Sequence, residues 1–137
     1  MNHKESAVWT MFSKFIRARD ADWNGYCKCI SCGRVKKWND SIDAGHYIAK
    51  GSDSALKYNE INVNAQCSYY CNKMKSGNQL LYRIGLVGKV GEEKVKQLEM
   101  AHFHKVTKKK PTQIELNLMY NHYRDEFNKL KKQKCLE

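Results

Sequence analysis

Two cysteine pairs, Cys29-Ile30-Ser31-Cys32 and Cys67-Ser68-Tyr69-Tyr70-Cys71, are the strongest constraint on how this chain can fold. In each pair a knuckle turn can aim both sulfurs at one point, and two such turns surround a tetrahedral zinc. The fold must then draw the two pairs together and sling the segment between them beside the metal. The second pair is one residue wider than the first, a spacing that zinc tolerates. Four buried structural cysteines, or a disulfide framework, are the alternatives. Disulfides need an oxidising compartment, and the opening Met1-Asn2-His3-Lys4-Glu5-Ser6 has none of the apolar core of a secretion signal. Reduced, zinc-bound thiols at Cys29, Cys32, Cys67 and Cys71 are therefore the expectation. Cys27 lies two residues before Cys29 and offers a substitute ligand, whereas Cys135 sits in a lysine-rich tail and is expected to be a free thiol.

With 137 residues and a single proline the chain reads as one compact domain without a linker. Its expected parts are an N-terminal helix in 1–22, a zinc-bound core in 26–78 and helices in 79–137. A domain this small buries a modest share of its surface, so a metal crosslink adds stability where apolar residues are sparse. Lys and Arg number 25 against 14 acidic residues, a formal charge of +11. That balance suits a polyanion, with nucleic acid the default partner. An anionic membrane surface is the competing partner for a basic chain, but no apolar run approaches the length of about 20 residues that spans a bilayer.

Apolar Val8, Phe12, Phe15 and Ile16 recur at helical spacing between Ser6 and Asp20. From Tyr26 to Trp38 the pattern predicts a knuckle followed by a short hairpin, then an extended segment from Ile42 to Ala49, a loop at Gly51-Ser52-Asp53-Ser54, and a strand or approach to the second knuckle at Ile61-Asn62-Val63. Asn72 to Ser76 reads as a short helix ended by Gly77, with Asn78 capping the next helix through Leu81, Ile84 and Val87. Gly91 separates a further helix that opens on Glu92 and Glu93 and carries Val95 and Leu98 on its apolar side. The last helix has a capping box at Thr112 and Glu115 and an apolar stripe of Leu116, Met119, Tyr120, Tyr123, Phe127 and Leu130, which reads as core or as a dimer seam. Lys129, Lys131, Lys132 and Lys134 complement its C-terminal dipole. Lys108-Lys109-Lys110 precede Pro111 in a loop, open to solvent or to phosphate.

Between the cysteine pairs, Asp43 precedes His46 by three residues, Asn62 stands five before Cys67, and Asn72 follows Cys71. This order resembles the HNH, or His-Me finger, nucleases. The resemblance implies an α+β fold in which a small zinc-bound ββα-metal core is surrounded by α-helices. It makes His46 the general base on water, Asn62 its orienter and Asn72 a ligand of a catalytic Mg²⁺ or Mn²⁺, with Asp43 as a second candidate ligand. Such chemistry is coherent, because a charged phosphodiester needs a deprotonated water and a cation on the scissile phosphate. On a flat strand, however, a three-residue offset points Asp43 and His46 to opposite faces.

More narrowly, Phe15-Ile16-Arg17-Ala18-Arg19-Asp20, Cys29-Ile30-Ser31-Cys32-Gly33, Asp43-Ala44-Gly45-His46-Tyr47, Gln66-Cys67, Cys71-Asn72, Lys75-Ser76-Gly77-Asn78 and Tyr82-Arg83 resemble, in order, the phage NinG family. That family, also called Rap, comprises recombination endonucleases. Membership implies metal-dependent, structure-selective cleavage of branched DNA, including Holliday junctions and D-loops, in the cytoplasm of the bacterial host. The two-fold symmetry of a four-way junction would suit a homodimer, with the C-terminal helix as seam. Lys50, Lys73, Lys75 and Arg83 are the basic residues closest in sequence to the site and are expected to contact phosphates. The chain departs from the pattern in carrying Asn64 where the family commonly has a histidine, the extra tyrosine in the second knuckle, and Gly45 where many HNH enzymes have an acidic residue or histidine. His102 and His104 are expected at the surface. A noncatalytic zinc-finger DNA-binding protein is the alternative function, and a zinc-stabilised adaptor the third.

Overall fold

A computed structural model describes residues 1–49, 54–104 and 110–137. The first helix, α1, spans Glu5–Asp20 and buries Val8, Met11, Phe12, Phe15, Ile16 and Ala18. These positions recur every three to four residues, so they form one stripe, and the periodicity read from the sequence is the face that packs. The longest helix, α4, spans Gln113–Gln133 and opens on the capping box: the Thr112 hydroxyl accepts from the Glu115 amide while the Glu115 side chain returns to the Thr112 backbone. Its inward Tyr123 meets Phe12 edge-on at 4.7 Å between centroids, and its Phe127 lies beside Trp38 at 5.8 Å. The stripe of α4 is therefore spent on α1 within the chain, the core reading of the two expected for it.

The role expected of Lys134 is corrected. Its Nζ donates to the carbonyls of Ala18, Arg19 and Ala21 at 2.7–3.0 Å, so its charge satisfies the orphan carbonyls at the end of α1 rather than those of its own helix.

Strands β1 (Tyr26–Lys28) and β2 (Val35–Lys37) form an antiparallel hairpin around the first cysteine pair. Strands β3 (Ile42–His46) and β4 (Val63–Cys67) form a second antiparallel pair in unbroken register, from Ile42 opposite Cys67 to His46 opposite Val63. Ala44, Val63 and Ala65 of this sheet join the core with α1 and α4. Among the described residues each sheet has two strands, so β3 has one strand neighbour. A 3₁₀ turn at Ser54–Leu56 precedes β4; the expected loop at Gly51-Ser52-Asp53, with Lys50, lies outside the described residues, as do Lys108 and Lys109.

Directly after β4 the chain enters a π-helical turn, Ser68–Met74. The helical signal expected from Asn72 begins earlier and contains the second knuckle itself. The wider bonding of a π turn absorbs the extra residue between Cys67 and Cys71, and the Lys75 amide reaches back to the Tyr70 carbonyl.

Helix α2 (Gln79–Val90) and helix α3 (Glu92–Phe103) follow, meeting at Gly91. Val95 and Leu98 are buried as expected, but on α2 the inward residues are Tyr82 and Leu86, while Leu81 and Ile84 are exposed. The cause is Tyr82. Its hydroxyl donates to the Gly45 carbonyl at 2.7 Å and accepts from Asn64 at 3.1 Å, which turns its side of the helix to the sheet. Close packing follows one turn later: a Cβ on Gly85 would come within 1.8 Å of the Ile30 carbonyl oxygen. Glycine there lets α2 lie against the first knuckle. Asn78 at the start of α2 adopts left-handed geometry at φ +45° and caps nothing with its side chain, which corrects its expected role.

Candidate functional site

The four cysteines converge. The sulfurs of Cys29, Cys32, Cys67 and Cys71 all lie within 4.8 Å of one another, and Cys32 and Cys67 are 3.7 Å apart. Ligands on a tetrahedral zinc, with bonds of about 2.3 Å, sit about 3.8 Å from each other, so the cluster could hold a structural metal such as zinc. Burial opposes ionisation of Cys32, but backbone and guanidinium hydrogen bonds from Arg34 overcome it and bring this thiol down to about 6. Burial pushes Cys67 and Cys71 up. Four thiolates cannot share one small volume without a cation to compensate them, and a bound metal ion would deprotonate them together.

Partners around the sulfurs fix their orientation. Asn78 Nδ2 donates to Cys71 Sγ at 3.3 Å, the use to which its side chain is put in place of capping. Gln66, buried on β4, donates through Nε2 to Ser31 Oγ at 2.9 Å and to the Gly77 carbonyl at 2.6 Å, tying the two knuckles together. This explains Gly45: a Cβ there would come within 2.2 Å of Gln66 Oε1, so no larger side chain has room at this position. Cys27 is no ligand. It points into the core, donates to the Arg17 carbonyl at 3.2 Å, and is pushed up to about 12 by burial. Cys135 is exposed and free, as expected.

A cleft of about 310 Å³ lies beside this cluster, lined by Trp9, Ser13, Asp43, Ala44, Gly45, His46 and Asn72. His46, Asp43 and Asn72, distant or offset in sequence, thus share one concavity. Asp43, expected to be turned away from His46 by its three-residue offset, lines the same cleft. Asp43 accepts from Ser68 Oγ and from Asn72 Nδ2, each at 2.8 Å, so β3 and the π-helical turn meet at its carboxylate.

His46 Nε2 lies 3.0 Å from the Lys57 carbonyl oxygen. A carbonyl only accepts, so the proton of neutral His46 resides on Nε2 and its basic lone pair on Nδ1. Trp9 stacks on the ring at 5.2 Å and 18°. Neither partner was visible in the spacing: Trp9 reads as one more apolar residue on a helix, and a backbone carbonyl has no sequence signature.

Asn62 is not in the cleft and makes no hydrogen bond to His46. Fully buried, it accepts from the Ile48 amide at 2.8 Å and donates to the Ile48 and Leu56 carbonyls. It clamps the backbone just beyond His46 and positions the histidine through the main chain. Asn64 is also buried, with Oδ1 accepting from Arg19 at 3.1 Å and Lys89 at 2.6 Å; it serves a different cleft of about 600 Å³ lined by Arg19, Asp20, Lys28, Asn64 and Lys89 among others. That larger space contains none of the residues expected to do chemistry apart from the wall provided by Cys29.

Of the expected phosphate contacts, Lys73 and Lys75 are exposed on and after the π-helical turn. Arg83 is corrected. It is paired with Glu99 at 2.8 Å and Glu92 at 3.1 Å, bracing α2 on α3. His102 lines a separate cleft with Tyr47 and Glu99. No helix among the described residues is long and apolar enough to cross a membrane.

An α+β chain with a four-cysteine cluster beside a histidine cleft is the class that the geometry defines. The family model described as bacteriophage lambda NinG protein matches residues 2–134, and the chain belongs to that family. Over 90 residues it is 41% identical to the protein ninG of Escherichia phage lambda and 40% identical to that of Escherichia phage 933W. Each match covers 64% of this chain and 40% of the relative, so less than half the length of these curated relatives is represented. No solved structure matches.

Proposed function

We propose that this protein is a zinc-stabilised, metal-dependent endonuclease of the HNH type that cleaves branched DNA in the host cytoplasm. The observation that carries the reading is the convergence of His46, Asp43 and Asn72 in one cleft. A four-cysteine cluster and a basic surface would serve a noncatalytic zinc-finger protein equally well. A histidine held as the Nε2–H tautomer beside a carboxylate and an amide is what hydrolysis requires and binding does not. In this reading β3, β4 and the π-helical turn are the ββα-metal unit.

The donors fit a hard divalent cation. Asp43 offers a carboxylate and Asn72 an amide oxygen once its side chain rotates from the donor orientation it has toward Asp43. One carboxylate completed by waters and substrate phosphate is a common Mg²⁺ set. Asp43 and Asn72 would hold the ion, which when bound neutralises charge on the scissile phosphate. His46 Nδ1 takes the proton of a water, whose oxygen attacks phosphorus. The P–O3′ bond breaks, its electron pair leaves with the 3′ oxygen, and that oxygen is protonated from solvent. The Lys57 carbonyl stabilises the resulting imidazolium through Nε2–H, and Trp9 keeps the ring in plane.

The test is incubation of labelled four-way junction and sequence-matched linear duplex with the protein in Mg²⁺, Mn²⁺ or neither. Divalent-dependent cutting of the junction in preference to the duplex is expected. Tight binding with no cutting in any metal would instead establish the zinc-finger binding module.

A further inference from the structure

The π-helical turn carries a feature that phosphodiester hydrolysis alone does not use. Cys71 on this turn faces the sulfur cluster, and Ser68 and Asn72 bond Asp43. The turn is therefore pinned at several points, and its remaining side chains project outward. Tyr69 is 66% exposed and Met74 60% exposed. Tyr70 is covered by cations instead, with the Arg34 guanidinium 3.9 Å and the Lys75 ammonium 5.6 Å from its ring centroid. Tyr69 thus stands as an uncovered aromatic ring on a rigid support, three residues before Asn72 of the cleft, with Lys73 one turn along and the Arg34–Tyr70–Lys75 stack at its side.

An exposed tyrosine ring on a turn pinned through Ser68 and Asn72 is placed to stack on a planar partner. The flanking positive charge specifies a polyanion, and the ring specifies one with planar faces to stack. Nucleic-acid bases meet both demands, and stacking is indifferent to which base is present. In continuous duplex both faces of every base are already stacked. Only at a branch point, or in a single-stranded segment, is a face open to a protein ring.

We propose that Tyr69 is a stacking platform for an unpaired or unstacked base of DNA at the branch, with Arg34, Lys73 and Lys75 on the adjoining phosphates. This inference rests on the nuclease reading and gives it a source of structure selectivity. The extra residue in the second knuckle acquires a function: it widens the turn into a π helix that presents the tyrosine pair.

Binding is measured with the whole chain in Ca²⁺ in place of Mg²⁺, so that affinity is read without cutting. The probes are a four-way junction with 2-aminopurine at the crossing, oligothymidylate, and linear duplex. Tyr69→Ala is expected to weaken junction and oligothymidylate binding about tenfold while changing duplex binding less than about twofold, the size of one lost base stack. Tyr69→Phe is expected to restore both affinity and 2-aminopurine quenching, and zinc content of both variants should equal that of the parent. Unchanged binding by Tyr69→Ala, or an equal loss on duplex, would overturn the platform while leaving junction cutting by the parent protein intact. Failure of the parent itself to bind any of these DNAs would overturn the nuclease reading along with it.

Discussion

Asn72 donates to Asp43 at 2.8 Å, joining the residue after the last cysteine of the sulfur cluster to the strand that ends in His46. The sulfur cluster and the histidine cleft are thereby one mechanical unit, and a shift of the π-helical turn moves Asn72 against Asp43. Asp43→Ala is expected to lower divalent-dependent cleavage by about 10³-fold, the scale of losing a metal's charge stabilisation. Zinc content and junction affinity should stay near those of the parent. Loss of zinc together with activity, by metal analysis on the purified variant, would mean that Asp43 supports the fold instead.

The cysteine cluster predicts one zinc per chain. Cys71→Ser should abolish it and with it cooperative melting, since metal binding of this kind contributes about 10 kcal/mol or more to small zinc domains. Cys27→Ser, which alters a thiol bonded to the Arg17 carbonyl, should keep the full complement. Zinc stoichiometry by elemental analysis separates the two.

Helix α2 approaches the first knuckle so closely that Gly85→Ala must displace the Ile30 backbone. The expected cost is about 2–3 kcal/mol, as for overpacking elsewhere, accompanied by weaker zinc retention because Ile30 lies between Cys29 and Cys32. Gly88 has open space at the same point, so Gly88→Ala on the same helix is the control and should be neutral or mildly stabilising in a thermal melt.

How much of this was legible in the sequence depends on what kind of force fixed each part. The stripes of α1 and α4 and the capping box were readable because apolar periodicity and capping chemistry are local. The convergence of the four cysteines was readable because a shared metal site restricts their spacing. On α2 the pattern misled: Leu81, Ile84 and Val87 recur at helical spacing, but so do Tyr82 and Leu86, and the choice was made by buried acceptors for the Tyr82 hydroxyl far away in sequence. The Asp43 placement was missed for a similar reason. Face alternation is local to one strand, whereas Asp43 is held by Ser68 and Asn72, far along the chain. Arg83 illustrates the limit for charge: proximity in sequence to the site said nothing about Glu92 and Glu99, which claim it.

Asp20 sets a pH dependence of stability. Its carboxylate accepts from Arg19 Nε, Lys89 Nζ and the Ala65 amide, all at 2.8 Å. Burial works against the charge, but Arg19 and Lys89 prevail and hold the carboxyl below its usual range. A folded-state value below the unfolded one contributes stability above the unfolded pKa of about 3.9 and loses it as pH falls through the folded value. Asp20→Asn should therefore cost about 1–2 kcal/mol near neutrality, by removing the buried carboxylate that the partly exposed Arg19 and Lys89 share, and should flatten the acid limb of melting temperature against pH. An acid limb equal to that of the parent would remove Asp20 as its origin.

The central claim is that His46 is the general base. The most direct measurement is the single-turnover rate of junction cleavage in Mg²⁺ by the parent and by His46→Ala, with zinc content and junction affinity measured on the same preparations. The account predicts a loss of about 10²–10⁴-fold in rate with zinc and affinity retained. Cleavage by His46→Ala at the parental rate would contradict it.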